Sequence, residues 1–142
     1  DEAGYTPLLP MFTLGHDFKP ANIHAGGLRY HGAGMIISQL VKDGYMHGVD
    51  VAQTEAFEAG MLFARVEGII PAPESCHAIA ATIREAKKAT EEGKNTVILF
   101  CLSGHGLIDM PSYESYLNGD LHDYRVSDEE INKFLQTVPQ VD

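Results

Sequence analysis

The chain has 142 residues, 44% hydrophobic and 21% charged, which suits one soluble globular domain that buries roughly two-thirds of its unfolded surface. Its 20 acidic residues against 10 basic ones give a formal charge of -10, with no Lys/Arg-rich run to track phosphates, and this argues against a nucleic-acid partner. No apolar run approaches the roughly 18 residues of a bilayer span and no secretory pattern opens the chain, so a cytoplasmic protein with no membrane partner is expected.

Asp1 opens the chain without a methionine and leads at once into turn-rich sequence, which reads like the middle of a longer protein. Residues 1–34 form a loop-rich opening segment, with six glycines and three prolines between Ala3 and Gly34 and no sustained period. Met35 to Lys42 reads as a helix that buries Ile36, Ile37 and Leu40, with Gly44 just past its end as a cap. Met46 to Val51 is a short strand candidate. Thr54 to Glu67 is a clearer helix, with Phe57, Gly60, Met61 and Ala64 on one face.

Gly68 to Ile70 is read as a brief buried strand stopped by Pro71 and Pro73. The next helix carries Cys76, Ile79, Ala80 and Ile83 on its inner stripe and Arg84, Lys87 and Lys88 on a solvated face. Thr96 to Leu102 is a nearly unbroken apolar run, typical of a central parallel strand covered on both sides. A glycine-rich turn, Ser103-Gly-His-Gly106, follows, then a short helix near Ser112 to Leu117. Residues 122–142 form an acidic linker and a last helix through Leu135, capped by Ser127 with Glu130.

Strands alternating with helices over 35–121 predict an α/β fold, a three-layer α/β/α arrangement with a partial parallel sheet. Only about three strands are visible, few for a complete sheet, which again points to part of a larger domain. Cys76 and Cys101 are expected as reduced thiols, and a bridge between them stays open at this point.

Four strings carry a specific resemblance: Thr13-Leu-Gly-His-Asp-Phe18, Ile23-His-Ala-Gly-Gly-Leu-Arg-Tyr-His-Gly32, Phe63-Ala-Arg-Val-Glu-Gly-Ile-Ile-Pro-Ala-Pro-Glu-Ser75 and Val97-Ile-Leu-Phe-Cys-Leu-Ser-Gly-His-Gly106. In this order, from about Thr6 to Leu121, the chain resembles the C-terminal third of tryptophan synthase β subunits, and specifically their second-type branch. The resemblance implies the type II fold of pyridoxal phosphate (PLP) enzymes and a lyase of tryptophan biosynthesis that joins L-serine to indole.

It also implies site roles. Ser103 matches the serine that bonds the pyridine nitrogen, with Gly104 beside it. A neutral hydroxyl there leaves the nitrogen largely unprotonated, a weaker electron sink suited to β-elimination and β-replacement. Glu67 matches a glutamate close to the cofactor ring; as a bare sequence feature it is an acid at a helix C-terminus, where the dipole disfavours it. Tyr30 and Gly32 match backbone carbonyls that bind a monovalent cation, Na+ or K+.

Arg29 departs from the commoner branch, which has an aspartate there, and is assigned to the substrate side, where an arginine pairs with a carboxylate through two hydrogen bonds. Glu74 is given a structural role in the first turn of its helix. His24, His31 and His105 are read as loop hydrogen-bonders, because no histidine shows metal-ligand spacing.

The catalytic residue is the largest absence. The family's Schiff-base lysine and phosphate-binding loop both precede the matched region, and none of Lys19, Lys42, Lys87, Lys88, Lys94 or Lys133 lies in a matching motif. The isolated chain is therefore expected to be inactive. An α-type subunit follows from the resemblance as a partner, and a cut sheet with bare edges favours a homo-oligomer. Two other readings stand beside this one: another type II serine or threonine lyase, and a noncatalytic α/β binding or assembly module.

Overall fold

In the computed structural model, residues 3–7, 9–30 and 32–139 are described, and His31 lies outside them. Among the described residues the regular elements are a 3-10 turn at Gly26–Arg29 and five α-helices: α1 (Met35–Lys42), α2 (Gln53–Glu67), α3 (Pro73–Glu91), α4 (Met110–Leu117) and α5 (Asp128–Leu135). Each expected helix forms within a few residues of its expected bounds. The chain divides into two compact units, one of Asp1–Ala21, Arg29–Gly48 and Arg125–Asp142, the other of Asn22–Leu28 and Val49–Tyr124.

In the first unit α1 begins without a side-chain cap and ends at Asp43, with Gly44 at φ 78° just beyond it. The expected burial of its apolar side is met only in part, at the half-buried Leu40. Ile36 is 77% exposed and Ile37 44%, whereas Ser38 is buried, its hydroxyl accepting from the Phe12 amide and donating to the Ala33 carbonyl. The reason is local: the segment packed on α1 offers backbone polar groups, and a hydroxyl satisfies them where a methyl would not. Thr13 and Gly32 form an isolated antiparallel bridge. Phe18 packs edge-on against Phe134 of α5, at 5.2 Å. α5 is capped as expected, the Ser127 hydroxyl accepting from the Glu130 amide at 3.2 Å.

The second unit holds a better-filled core, built where α2 and α3 pack together. Ala56, Phe57, Cys76 and Tyr113 form one buried cluster, and Ala59, Ile79 and Ala80 a second. The ring of Phe57 meets Tyr113 edge-on at 5.0 Å and stacks on Tyr116 at 5.7 Å. Gly60 makes this contact possible: a Cβ there would lie 2.8 Å from the Tyr113 hydroxyl. Asp123 caps α2 from a distance, accepting from the Thr54 amide at 3.0 Å and from its hydroxyl at 2.6 Å. Those two donors hold its carboxyl below the usual range.

The expected sheet is the main correction. Among the described residues the segments 46–51, 68–70 and 96–102 carry no strand ladder, and the pairings outside helices are two isolated bridges, Thr13 with Gly32 and Pro71 with His105. Thr96 to Leu102, expected to be covered on both sides, is covered on one. Phe100 packs edge-on against Phe63 at 6.0 Å, while Val97 and Leu99 are 98% and 96% exposed. A parallel strand needs a neighbouring strand for its N–H and C=O groups, and no described segment lies in ladder register with it. Both cysteines are free, Cys76 buried and Cys101 exposed.

Candidate functional site

The segment after α2 and the glycine-rich turn 103–106 meet in the second unit. α2 stops at Glu67 because Gly68 adopts φ 72°, a left-handed position that a side chain would strain. The chain then runs extended and antiparallel to the glycine-rich turn. The Gly106 amide donates to the Ile70 carbonyl at 2.7 Å and the Ala72 amide to the Gly104 carbonyl at 2.9 Å, on either side of the Pro71–His105 bridge.

Two glycines permit this approach. A Cβ on Gly106 would overlap the Pro71 carbonyl, and one on Gly104 would sit 3.2 Å from Ala72 Cβ. The Pro71 carbonyl is itself anchored in the core by the Tyr113 hydroxyl, which donates to it at 2.6 Å. That uses the only phenolic proton, so the Cys76 thiol, 3.3 Å away, donates to the Tyr113 oxygen. Burial pushes the ionisation of both groups up, so both stay neutral at ordinary pH.

Pro73 occupies the start of α3, and two residues on stands Ser75, 1% exposed. Its hydroxyl lies 3.2 Å from the Ser103 hydroxyl, accepts from the Gly104 amide at 3.1 Å, and lies 3.4 Å from the Gly104 carbonyl. Ser103 itself is exposed. The result is a solvent-facing neutral hydroxyl tied to a buried one beneath it, beside a glycine whose missing side chain lets the turn close on Ala72. No acidic or basic side chain bonds to Ser103 among the described residues.

The other expected site residues fall as follows. Glu67 is exposed at the end of α2, and among the described residues no hydrogen bond or ion pair joins it to Ser103 or Ser75. Glu74 accepts from the Gly27 amide at 3.4 Å, tying the 3-10 turn to α3. Arg29, Tyr30 and Gly32 belong to the first unit. The Arg29 guanidinium donates to the carbonyls of Ala21, at 2.9 Å, and Pro20, at 3.5 Å.

His24 Nδ1 lies 3.0 Å from the hydroxyl of Ser112 in α4, so it bonds from its loop to a helix, and His105 Nδ1 accepts from the Leu107 amide within its own loop. No group of three or more His, Cys, Asp or Glu side chains suited to a metal ion occurs among the described residues. No helix there is long and apolar enough to cross a membrane.

Sequence reasoning passed over Ser75. It was readable in principle, since a serine four residues before Ile79 and beside Cys76 puts a hydroxyl in an otherwise apolar stripe, and a buried hydroxyl must have partners.

No protein-family model matches the chain. Curated relatives do. The chain is 64% identical to tryptophan synthase beta chain 2 of Thermotoga maritima over 113 residues, 80% of this chain and 27% of that protein. It is 57% identical to tryptophan synthase beta chain 2 of Aquifex aeolicus over 123 residues, 87% of this chain and 28% of that protein. It is 53% identical to that of Pyrococcus furiosus over 139 residues, 98% of this chain and 31% of that protein. The chain is thus related in sequence to tryptophan synthase beta chains over nearly all its length, and spans about three-tenths of theirs.

Proposed function

We propose that this chain is a part of a PLP-dependent tryptophan synthase β chain of the second type, and that the whole protein replaces the β-hydroxyl of L-serine with indole to give L-tryptophan. The observation that carries the reading is the 53% identity along 98% of the chain, joined to a solvent-facing Ser103 hydroxyl where the segments 68–72 and 103–106 meet. The cofactor, when bound, withdraws electrons from the substrate's α-carbon through its ring.

The residues present fit the nitrogen edge of such a ring. Ser103 offers a neutral hydroxyl, Gly104 lets its turn close against Ala72, and among the described residues no carboxylate bonds to that hydroxyl to stabilise a protonated nitrogen. On this reading Glu67 stands beside the ring and Arg29 serves the substrate side. The carbonyls of Tyr30 and Gly32 hold a monovalent cation. The Schiff-base lysine and the phosphate cradle are supplied from outside these 142 residues.

Thr96 to Leu102 is, on the same reading, a strand of the three-layer α/β/α sheet of the type II fold, its bare Val97 and Leu99 face and free edges met by other parts of the protein. The remaining partners proposed are an α-type subunit and a second copy of the chain, in the cytoplasm.

The experiment is tryptophan formation from L-serine and indole. The intact gene product is expected to turn over and the 142-residue chain alone is not. Ser103→Ala in the intact protein should lower turnover about tenfold, the ~1.4 kcal/mol of one hydrogen bond. An intact protein that binds no PLP would instead favour the noncatalytic assembly module, and turnover of serine or threonine without indole would favour another type II lyase.

A further inference from the structure

The hydroxyl pair beneath the site has a direction. Ser75 carries one proton and accepts from the Gly104 amide at 3.1 Å, so its own proton is left to find an acceptor. Two acceptors compete: Ser103 Oγ at 3.2 Å and the Gly104 carbonyl at 3.4 Å. That carbonyl already accepts from the Ala72 amide at 2.9 Å, and the contact to it is the longer of the two. With the Ser75 proton on Ser103 Oγ, the nearer of the two acceptors, the Ser103 proton is free to be donated away from Ser75.

Resting on the reading of Ser103 as the partner of a ring nitrogen, we propose that Ser75 is a positioning residue: it fixes the Ser103 hydroxyl as an outward donor, so the site takes an unprotonated heteroaromatic nitrogen. The donors run Gly104 N–H, Ser75 O–H, Ser103 O–H, each polarising the next in the same sense, so the last is strengthened. A ring nitrogen that carried a proton would meet a donor with a donor. To accept from it, Ser103 would have to turn its proton back on Ser75, whose buried hydroxyl would then lose its better acceptor.

The test loads the intact gene product with ring-15N-labelled pyridoxal phosphate and reads the nitrogen shift and the dissociation constant, neither of which needs turnover. The wild-type nitrogen is expected in the unprotonated, hydrogen-bonded range. S75A should move it toward the free-cofactor value and weaken binding about three- to tenfold, one hydrogen bond's worth. S75C, close in volume with only a weak S–H donor, should do the same with the packing kept, which decides the matter if S75A fails to fold. In both variants the Gly104 amide should exchange faster than in wild type.

Wild-type shift and affinity in S75C, alongside their loss in S103A, would overturn the role of Ser75 and leave the reading of Ser103 intact. A nitrogen unmoved by S103A, or a wild-type signal matching free cofactor, would overturn that reading and this inference with it.

Discussion

Helix α2 and the segment Thr96 to Leu102 are both apolar stretches of the second unit, and they end in opposite states. In α2 the residues Ala56, Phe57, Ala59 and Gly60 are buried, while in the extended segment Val97 and Leu99 stand almost wholly in solvent. A helix satisfies its own backbone and needs a partner on one stripe only, which α3 and α4 provide. An extended segment satisfies nothing by itself: it needs neighbours along both edges and cover on both faces, and here it has cover on one. Apolar sequence therefore marks what a segment can bury and leaves open where the burying surface comes from.

The sharpest way to test that contrast is to truncate each stretch. Phe57→Ala removes a ring packed on Tyr113 and Tyr116 and should destabilise the second unit by about 3–5 kcal/mol in denaturant unfolding. Next in size, Tyr113→Phe deletes the donor to the buried Pro71 carbonyl and the acceptor for the Cys76 thiol. It should cost about 1–3 kcal/mol and speed exchange of the Gly106 amide.

A smaller effect tests the far end of α2. The Asp123 carboxyl, held below the usual range by Thr54, contributes stability that is present above its unfolded pKa and lost as pH falls through its lower folded value. Asp123→Asn should cost under about 1 kcal/mol at neutral pH, since the group is largely in water, and should flatten the acid limb of a stability-against-pH curve. The smallest change completes the comparison. Val97→Thr with Leu99→Thr should alter the stability of the 142-residue chain by within about 0.5 kcal/mol. The same pair should destabilise the intact gene product by several times more if that face is covered there, as proposed.

What the sequence made legible follows the same line. Helices were readable because their signals are local: the Ser127 cap and the Gly44 stop lie within a turn of the residues they govern. Ile36 and Ile37 were misread because periodicity reports an apolar face and not the surface opposite, and Ser38 met the available backbone partners better. The absent ladder was not readable, because strand pairing depends on residues far away or outside the chain. At the site, Ser103 and its glycines were given roles from their string, while Ser75, at the end of another, was given none, because its part depends on a 28-residue separation closed only by folding.

The central claim is that this chain supplies the ring-nitrogen side of a PLP site and that the lysine holding the cofactor lies elsewhere in the same gene product. Borohydride reduction of the loaded intact protein, followed by peptide mapping of the pyridoxyl group, tests it most directly. The account predicts a modified lysine outside these 142 residues. Modification of Lys19, Lys42, Lys87, Lys88, Lys94 or Lys133 would contradict it.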